Sequence, residues 1–192
     1  MPKAAIFVDG NNIHRAIWEC FRIERLDLEP FCKNLIQQRD LAVIHYADAD
    51  FFQLPSINKY RKQQAYFSHI RSIKHLVFRA GYYRQRGSRP PEEKKVDVHL
   101  AVDMVDLCNR NAFDTAYVIS GDADLTPAIE VLKREKKRVI NVYTQEHFVR
   151  QGVRIGRISK LKFECDAFVR ITRSLAEQYQ WPPVKVLATP MI

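Results

Sequence analysis

Near its N-terminus the chain reads Ala4-Ala5-Ile6-Phe7-Val8, and this apolar run is followed directly by Asp9-Gly10-Asn11-Asn12. A strand inside a parallel sheet has apolar side chains on both faces, because helices cover both faces. The polar residues that follow are typical of a turn, and Asn11 or Asn12 can cap a helix there. The stretch predicts a buried strand that leads into a helix ending near Phe21.

The alternation of strand and helix continues along the chain. Further strands are predicted at 41–47, 76–83, 115–120 and 138–143, and further helices at 28–37, 56–75, 96–109 and 125–135. Strands that alternate with helices predict an α/β fold with a mainly parallel central sheet and helices on both faces.

The pattern is interrupted once and weakens towards the C-terminus. Residues 84–93 contain Gly, Ser and two prolines, so we expect a long loop there. After residue 143 we expect an edge strand at 161–164 and a helix through residue 178. The length predicts one domain at 1–168, with 169–192 as a C-terminal helix and tail packed on it or extending from it.

The composition favours a globular protein with an anionic partner. Hydrophobic residues make up 46% of the chain, which is ordinary for a folded domain. Lys and Arg number 31 against 22 Asp and Glu, a net charge of +9, so polyanions are the favoured partners. An excess of basic residues is also common among soluble proteins, so the net charge alone does not establish a polyanionic partner. The residues of the site must decide this.

The cysteines and the N-terminus indicate a reducing, non-membrane environment. The four cysteines form no CxxC pair, so neither a zinc site nor a disulfide framework is predicted. The apolar run at 4–8 is too short for a signal or transmembrane segment. We expect a cytoplasmic protein with no membrane partner.

Acidic residues stand where three strands end or helices begin: Asp9, Asp97, and Asp122 with Asp124. The carboxyl ends of parallel strands meet at one edge of a sheet, so these acids are expected to converge. Carboxylate oxygens are the ligands that hard cations such as Mg²⁺ prefer. Singly, each acid could instead be a turn residue or a helix cap; together they predict a carboxylate site for a divalent cation. Asp48, at the end of the second strand, joins it if that strand adjoins the first.

The acids of the helix predicted at 96–109 fall on different faces of it. At about 100° per residue, Asp97 falls on the stripe of Leu100, Ala101, Met104 and Cys108. The same wheel places Asp103 on the opposite face with the helix's other polar residues. We therefore expect Asp97 to face the protein and Asp103 to face solvent.

Three blocks of the sequence resemble the NYN domain, specifically the LabA-like branch of the PIN-like nuclease superfamily. They are Phe7-Val8-Asp9-Gly10-Asn11-Asn12, Lys94-Lys95-Val96-Asp97-Val98 running on to Asp103, and Val118-Ile119-Ser120-Gly121-Asp122-Ala123-Asp124-Leu125. The resemblance covers about residues 4–145. Lys95 stands where many relatives have Gly, and Leu125 where Phe is common, but neither change removes an acid.

The resemblance implies a Rossmann-like PIN fold and a metal-dependent endoribonuclease that hydrolyses RNA phosphodiester bonds with Mg²⁺ or Mn²⁺. By matched position, the catalytic and metal-binding acids would be Asp9, Asp97, Asp122 and Asp124. Supporting residues would be Asn12, Ser120 and Asp103, although the helical wheel ranks Asp103 below the other acids. Some relatives are regulatory, so a non-catalytic RNA-binding protein is the alternative. PIN-like relatives often dimerise, so the resemblance is also compatible with a homodimer.

Basic residues close to the acids predict where a nucleic acid, preferably single-stranded RNA, would bind. They are Arg84, Arg86, Arg89 and Lys94, in and beside the loop that precedes Asp97. Tyr82 or Tyr83 could stack a base there; a solvated surface loop is the alternative. A second basic group, which includes Arg157 and Lys160, could form the other wall. A phosphohydrolase of small esters is a weaker reading, because the first strand lacks an Asp-x-Asp motif.

Overall fold

A computed structural model describes residues 1–50, 56–84, 92–150 and 153–183, and of these residues 50, 147–150 and 153–155 by backbone alone. The strands are β1 Lys3–Asp9, β2 Arg25–Leu26, β3 Asp40–Asp50, β4 Leu76–Arg84, β5 Glu92–Lys94, β6 Thr115–Ile119, β7 Arg138–Tyr143, β8 Gln145–Arg150, β9 Val153–Ile158, β10 Ala167–Arg170 and β11 Gln180–Trp181. The α-helices are α1 Gly10–Phe21, α2 Leu28–Ile36, α3 Ile57–Arg71, α4 Val96–Asn109, α5 Thr126–Arg134 and α6 Arg173–Gln178.

The central sheet has seven strands in the order β10-β7-β6-β1-β3-β4-β5. Every neighbouring pair in it is parallel except β4 with β5. The predicted α/β fold with a mainly parallel sheet is confirmed. The chain builds β3 and β4 on one side of β1, and β6, β7 and β10 on the other. Strand order therefore reverses between β1 and β6, which is where open α/β sheets bind ligands.

Alternate residues of β1 point to opposite faces, and each face is covered by its own hydrophobic core. Ile6 and Val8 pack with residues of α1, α2 and α3 in one core. Phe7 packs with residues of α4 and α5 in the other. All six residues from Ala4 to Asp9 are buried, which explains why the sequence of this strand is continuously apolar until its last residue.

The C-terminal third differs most from the sequence-based expectation. The edge strand predicted at 161–164 is wrong: Leu161–Phe163 is a short 3-10 helix, and the edge strand is β10. Buried Leu161 anchors this turn, and its carbonyl accepts hydrogen bonds from the amides of Glu164 and Cys165. The hairpin of β8 and β9 was not predicted. The loop predicted at 84–93 is wrong at its ends, because Arg84 belongs to β4 and Glu92–Lys94 pairs with it as β5, and residues 85–91 lie outside the described residues.

The C-terminal segment packs on the rest of the fold as far as Trp181. β11 pairs with β2, and the Trp181 ring lies 5.1 Å from the ring of Tyr66. In the part of the chain described here, none of the helices is both long and apolar enough to cross a membrane.

Candidate functional site

Asp9 lies at the point where strand order reverses, as the last residue of β1 and the N-cap of α1. Its Oδ1 accepts a hydrogen bond of 3.2 Å from the Asn12 amide, and its Oδ2 accepts one of 2.9 Å from the Ser120 hydroxyl. Burial nevertheless raises the pKa of Asp9 to about 8, and the charges of Glu93 and Asp48 add to the effect. Asp9 is thus an acid whose negative charge lacks compensation.

The loop after β6 is tied to the start of α1. The Asn12 side-chain oxygen accepts a hydrogen bond of 3.0 Å from the Gly121 amide, and the Ser120 hydroxyl accepts one of 3.1 Å from the Asp122 amide. Asp122 in turn caps the short 3-10 helix at Ala123–Leu125, because its Oδ1 accepts from the Asp124 amide at 3.0 Å. Asn12 and Ser120 therefore hold the Asp122 loop against the Asp9 end of β1.

Asp48 belongs to the same edge of the sheet, because β3 adjoins β1 with Asp9 opposite Ala47. The condition under which Asp48 was expected to join the acids is therefore met. Asp48 is 2% exposed, and its two oxygens accept hydrogen bonds from the Tyr46 hydroxyl at 2.6 Å and the Ala49 amide at 2.8 Å. Burial raises its pKa to about 7.

A buried histidine stands behind Asp48. His14 Nε2 lies 2.9 Å from the Tyr46 hydroxyl oxygen. Because the single hydroxyl proton of Tyr46 goes to Asp48, His14 must donate to Tyr46 from Nε2. Burial lowers the pKa of His14 well below its ordinary value, which agrees with this neutral form. The chain His14–Tyr46–Asp48 therefore fixes the orientation of the Asp48 carboxylate.

Glu93 is an acid of this site that the sequence analysis missed. It lies on β5, half-buried, where Oε2 accepts hydrogen bonds from the side chain of Asn11 and, at 3.4 Å, from the Tyr83 hydroxyl. Burial raises the pKa of Glu93, and the nearby charges of Asp97 and Asp122 add to this. Within Pro-Glu-Glu-Lys-Lys this glutamate looks like part of a solvated charged loop, so the sequence gives little signal for it.

The remaining predicted acids lie at the rim. Asp97 is in the first turn of α4 and half-buried, close enough to Glu93 to raise the pKa of that carboxyl. Asp122 is half-buried, and Asp124 is exposed. The structure thus brings Asp97 and Asp122 into the electrostatic neighbourhood of Glu93, and Glu93 into that of Asp9.

The placement of Asp103 on the outer face of α4 is wrong. Asp103 is only 7% exposed, accepts hydrogen bonds from Arg79 Nε and Nη2, both at 2.9 Å, and lies 2.6 Å from His45 Nδ1. A helical wheel considers only the polarity of the residues within one helix. It therefore cannot predict a buried acid whose charge is balanced by partners on other strands. Six residues beyond Asp97 are roughly 9 Å along a helix, and the hydrogen bonds of Asp103 lead away from the acids of the site. Its role here is an ion pair.

The predicted basic residues have different environments. Lys94 forms an ion pair of 2.9 Å with Glu92, and Arg84 is exposed at the end of β4. Arg86 and Arg89 lie outside the described residues. On the other side of the acids, Arg157 and Lys160 line a cavity with Asp122 and Asp124.

The donor types at this edge fit a divalent cation, although the side chains do not converge on one point. Within the described ranges, no group of three or more His, Cys, Asp or Glu side chains has the arrangement of a metal site. None of the ion pairs between described residues involves Asp9, Asp48 or Glu93. Burial raises the pKa of Asp9 and Asp48, and the charge of Glu93 adds to this, whereas the charge of Arg25 offsets part of the rise for Asp48. Further positive charge would favour the ionised carboxylates, and oxygen-only donors suit Mg²⁺ or Mn²⁺.

The fold and the acidic edge define a PIN-like α/β domain. The chain belongs to the NYN domain family, whose profile matches residues 3–171. This membership links it to the PIN-like nuclease superfamily and confirms the NYN part of the resemblance. Assignment to the LabA-like branch stays a prediction.

Solved structures support the fold alone. A Vibrio parahaemolyticus protein of unknown function is similar with a TM-score of 0.65 at 20% identity, over 89% of this chain and 93% of that one. A UDP-GlcNAc 2-epimerase from Methanocaldococcus jannaschii matches with a TM-score of 0.42 at 11% identity, over 93% of this chain and 41% of that one, which is too weak to carry an argument. No curated protein matches the chain.

Proposed function

We propose that this protein is a metal-dependent endoribonuclease that uses Mg²⁺ or Mn²⁺ to hydrolyse phosphodiester bonds in single-stranded RNA. One observation carries the proposal: in an NYN domain, the carboxylates of Asp9, Asp48 and Glu93 share one edge of the sheet at the reversal of strand order, without an ion-pair partner among the described residues. A bound cation would stabilise the ionised form of such carboxylates.

The acids would divide into an inner and an outer set. Asp9, Asp48 and Glu93, which are held by hydrogen bonds from Ser120, Tyr46 and Asn11, would be the inner ligands. A second set lies at the rim and would complete the site when substrate is bound: Asp97, Asp122 and Asp124. A divalent cation held there supplies a Lewis acid that activates water and neutralises charge developing on the phosphodiester.

The hydrogen bonds around the inner acids prepare them for this role. Ser120 and the Asn12 amide donate to different oxygens of Asp9, and Tyr46 and the Ala49 amide do the same for Asp48. These donors orient both carboxylates, as the partners of metal ligands commonly do. At neutral pH and without a cation, both acids hold protons for part of the time, so cation binding would release protons.

The net charge supports RNA as the substrate class. The net charge is +9 although several acids lie at one edge, so the rest of the surface carries an excess of positive charge. Such a surface attracts a phosphate backbone and guides it to the acidic edge. Arg84 and Lys94 flank that edge, and Arg86 and Arg89 precede it in the sequence.

The test is cleavage of a labelled single-stranded RNA by purified protein with Mn²⁺, with Mg²⁺ and with EDTA. Asp9→Asn and Asp122→Asn should lower metal-dependent cleavage by orders of magnitude. Asp106→Asn is the matched control, because it makes the same chemical change on the exposed face of α4. Circular dichroism melts of each variant separate lost chemistry from lost folding. Normal cleavage by Asp9→Asn would refute the proposal.

A second candidate is a non-catalytic RNA-binding or regulatory protein. The observation that favours it is that the acids of the described residues do not form a converged group of metal ligands. In that case the protein binds the RNA but yields no products with either metal. Calorimetry with Mn²⁺ adds a second discriminator, since a non-catalytic domain with a degenerate site shows no saturable binding that Asp9→Asn removes.

A further inference from the structure

A cavity of about 330 Å³ lies beside the acids, between the loop after β6 and the end of β9. Its lining includes Asp122 and Asp124 from the loop after β6, and Arg157 and Lys160 from the end of β9 and the segment after it. Its volume is within the roughly 300–1,000 Å³ that small-molecule sites occupy. A cavity lined by both acidic and basic side chains suits a ligand that has both anionic groups and hydrogen-bond donors.

Tyr143 lines this cavity, and its hydroxyl has no hydrogen-bond partner among the described residues. The residue as a whole is 3% exposed, but its hydroxyl is not among the buried atoms that lack a partner, so the hydroxyl is the part of Tyr143 that is open to the cavity. Gly121 allows the ring to lie there, because a Cβ at 121 would be 2.5 Å from a ring carbon of Tyr143. The hydroxyl is thus available to a ligand.

Three more donors line the same cavity. Lys160 is exposed and makes no ion pair with a described residue, whereas Arg157 is held in place by an ion pair with Glu19. The Asn12 side chain also lines the cavity, and its oxygen is occupied by the Gly121 amide, so its amide nitrogen is left to donate. Fixed Arg157, free Lys160, Tyr143 and Asn12 together offer a set of hydrogen-bond donors.

We infer that this cavity is a nucleotide subsite, which holds one nucleotide of a single-stranded RNA with its phosphate against Lys160 and Arg157. The inference rests on the proposed function, because it places that nucleotide next to the bond that the acids cleave. Asn12 and Asp122 link the two places: both line the cavity, Asn12 is a neighbour of Asp9 through its amide, and the charge of Asp122 acts on Glu93. The RNA would thus contact the protein on the β9 side of the acids as well as on the side of Arg84 and Lys94.

Binding without cleavage tests the subsite separately from the nuclease. Fluorescence anisotropy of a labelled single-stranded RNA in EDTA is measured for the wild type, Lys160→Ala and Tyr143→Phe. Lys160→Ala should weaken binding several-fold and lower the slope of log affinity against log salt by about 0.7, the value for one phosphate contact on a single strand. Tyr143→Phe removes only the hydroxyl, so a smaller loss with an unchanged salt slope is expected.

The matched control is Lys74→Ala. Lys74 is exposed like Lys160, but it precedes β4 and so lies at the opposite edge of the parallel sheet. If Lys160→Ala and Lys74→Ala change the affinity and the salt slope equally, the assignment of the subsite is wrong, even if the protein cleaves RNA. If Lys160→Ala alone weakens binding while the wild type never cleaves, the subsite stands and the nuclease proposal fails.

Competition identifies the ligand class. Adenosine monophosphate should displace the labelled RNA from the wild type at a lower concentration than inorganic phosphate does, because sugar and base add contacts inside the cavity. This difference should shrink in Tyr143→Phe. Equal displacement by the two competitors would reduce the cavity to a plain anion site and overturn its assignment to a nucleotide.

Discussion

The Tyr46 hydroxyl donates a 2.6 Å hydrogen bond to Oδ2 of Asp48, and both groups lie against the α-carbon of Gly10. A Cβ at position 10 would be 2.3 Å from that hydroxyl and 2.6 Å from the carboxylate oxygen. Tyr46 and Asp48 are almost fully buried, so neither can move aside easily. The glycine after Asp9 is therefore needed for packing, since it lets β3 present Asp48 beside the start of α1.

Gly10→Ala should destabilise the protein by about 1–3 kcal/mol, the usual cost of overpacking a buried site. It should also reduce metal-dependent cleavage, because Asp48 is displaced. Urea unfolding measures the first effect. Adding Tyr46→Phe removes one of the clashing atoms, so the double variant should be more stable than the sum of the single effects predicts, with a coupling of about 0.5–3 kcal/mol. Strict additivity would show that this contact is not the cause.

The ion pair of Asp103 with Arg79, together with the hydrogen bond between Asp103 and His45, should stabilise the fold without serving the site. Asp103→Asn leaves Arg79 without its partner and should cost about 3 kcal/mol, at the low end for buried pairs because the Arg79 side chain is 43% exposed. Asp106→Asn is the control, since its pair with Arg110 is exposed and should contribute under about 0.5 kcal/mol. Equal unfolding midpoints for the two variants would contradict this assignment.

The same ion pair predicts how the stability of the protein changes at acidic pH. Burial opposes ionisation of Asp103, but hydrogen bonds from Arg79 and His45 outweigh it and lower its pKa below the ordinary value. Its contribution is therefore present above about pH 4 and is lost as the pH falls through the lowered pKa. Acid unfolding of Asp103→Asn should accordingly begin from a lower stability and show a shallower slope than that of the wild type.

The sheet could be predicted because its strands carry local signals. β1 is buried on both faces and reads as five apolar residues followed by an acid, and parallel strands necessarily place their ends at one edge. That reasoning led to Asp9 and Asp122, and kept Asp48 in reserve. The order of the strands, which decides that Asp48 adjoins Asp9, is not a local property and came only from the fold.

Two acids show what local patterns cannot supply. Glu93 reaches the site because β5 pairs antiparallel with β4, which sets Glu93 opposite Tyr83 and within reach of Asn11. Asp103 is buried because Arg79 and His45 come from two other strands. In both cases the deciding partner is distant in the sequence, whereas a charge run or a helical wheel considers only neighbours along the chain.

Glu93 offers a direct test of which acids hold the cation. Glu93→Gln should lower Mn²⁺-dependent RNA cleavage by at least roughly 10- to 100-fold, since it removes a half-buried carboxylate at the electrostatic centre of the site. Glu92→Gln makes the same change one residue earlier, on a side chain that is 57% exposed and paired with Lys94, and should have little effect. If both variants cleave like the wild type, Glu93 is not a ligand and the site is confined to the aspartates.

The raised pKa values of Asp9 and Asp48 predict how metal and pH act together on stability. The pKa of Asp9 is about 8 in the folded protein against an ordinary 3.8, so the folded state keeps a proton that the unfolded chain releases. Without metal, the free energy of unfolding should therefore fall as the pH rises from about 4 to about 8 and change little above that. Asp48, with a pKa of about 7, acts in the same direction.

Mn²⁺ should reverse this loss of stability, because the bound cation takes the place of the protons and stabilises the ionised carboxylates. Thermal melts in EDTA and in Mn²⁺, at about pH 5 and about pH 8, measure the effect, with roughly 2–4 °C expected for each kcal/mol in a chain of this size. Stabilisation by Mn²⁺ should be large at the higher pH and small at the lower one. Asp9→Asn cannot ionise at position 9, so it should show a smaller loss with pH in EDTA and little response to Mn²⁺. An unchanged pH dependence of that variant in EDTA would mean that Asp9 is already ionised in the folded protein, and an unchanged response to Mn²⁺ would mean that the cation is held elsewhere.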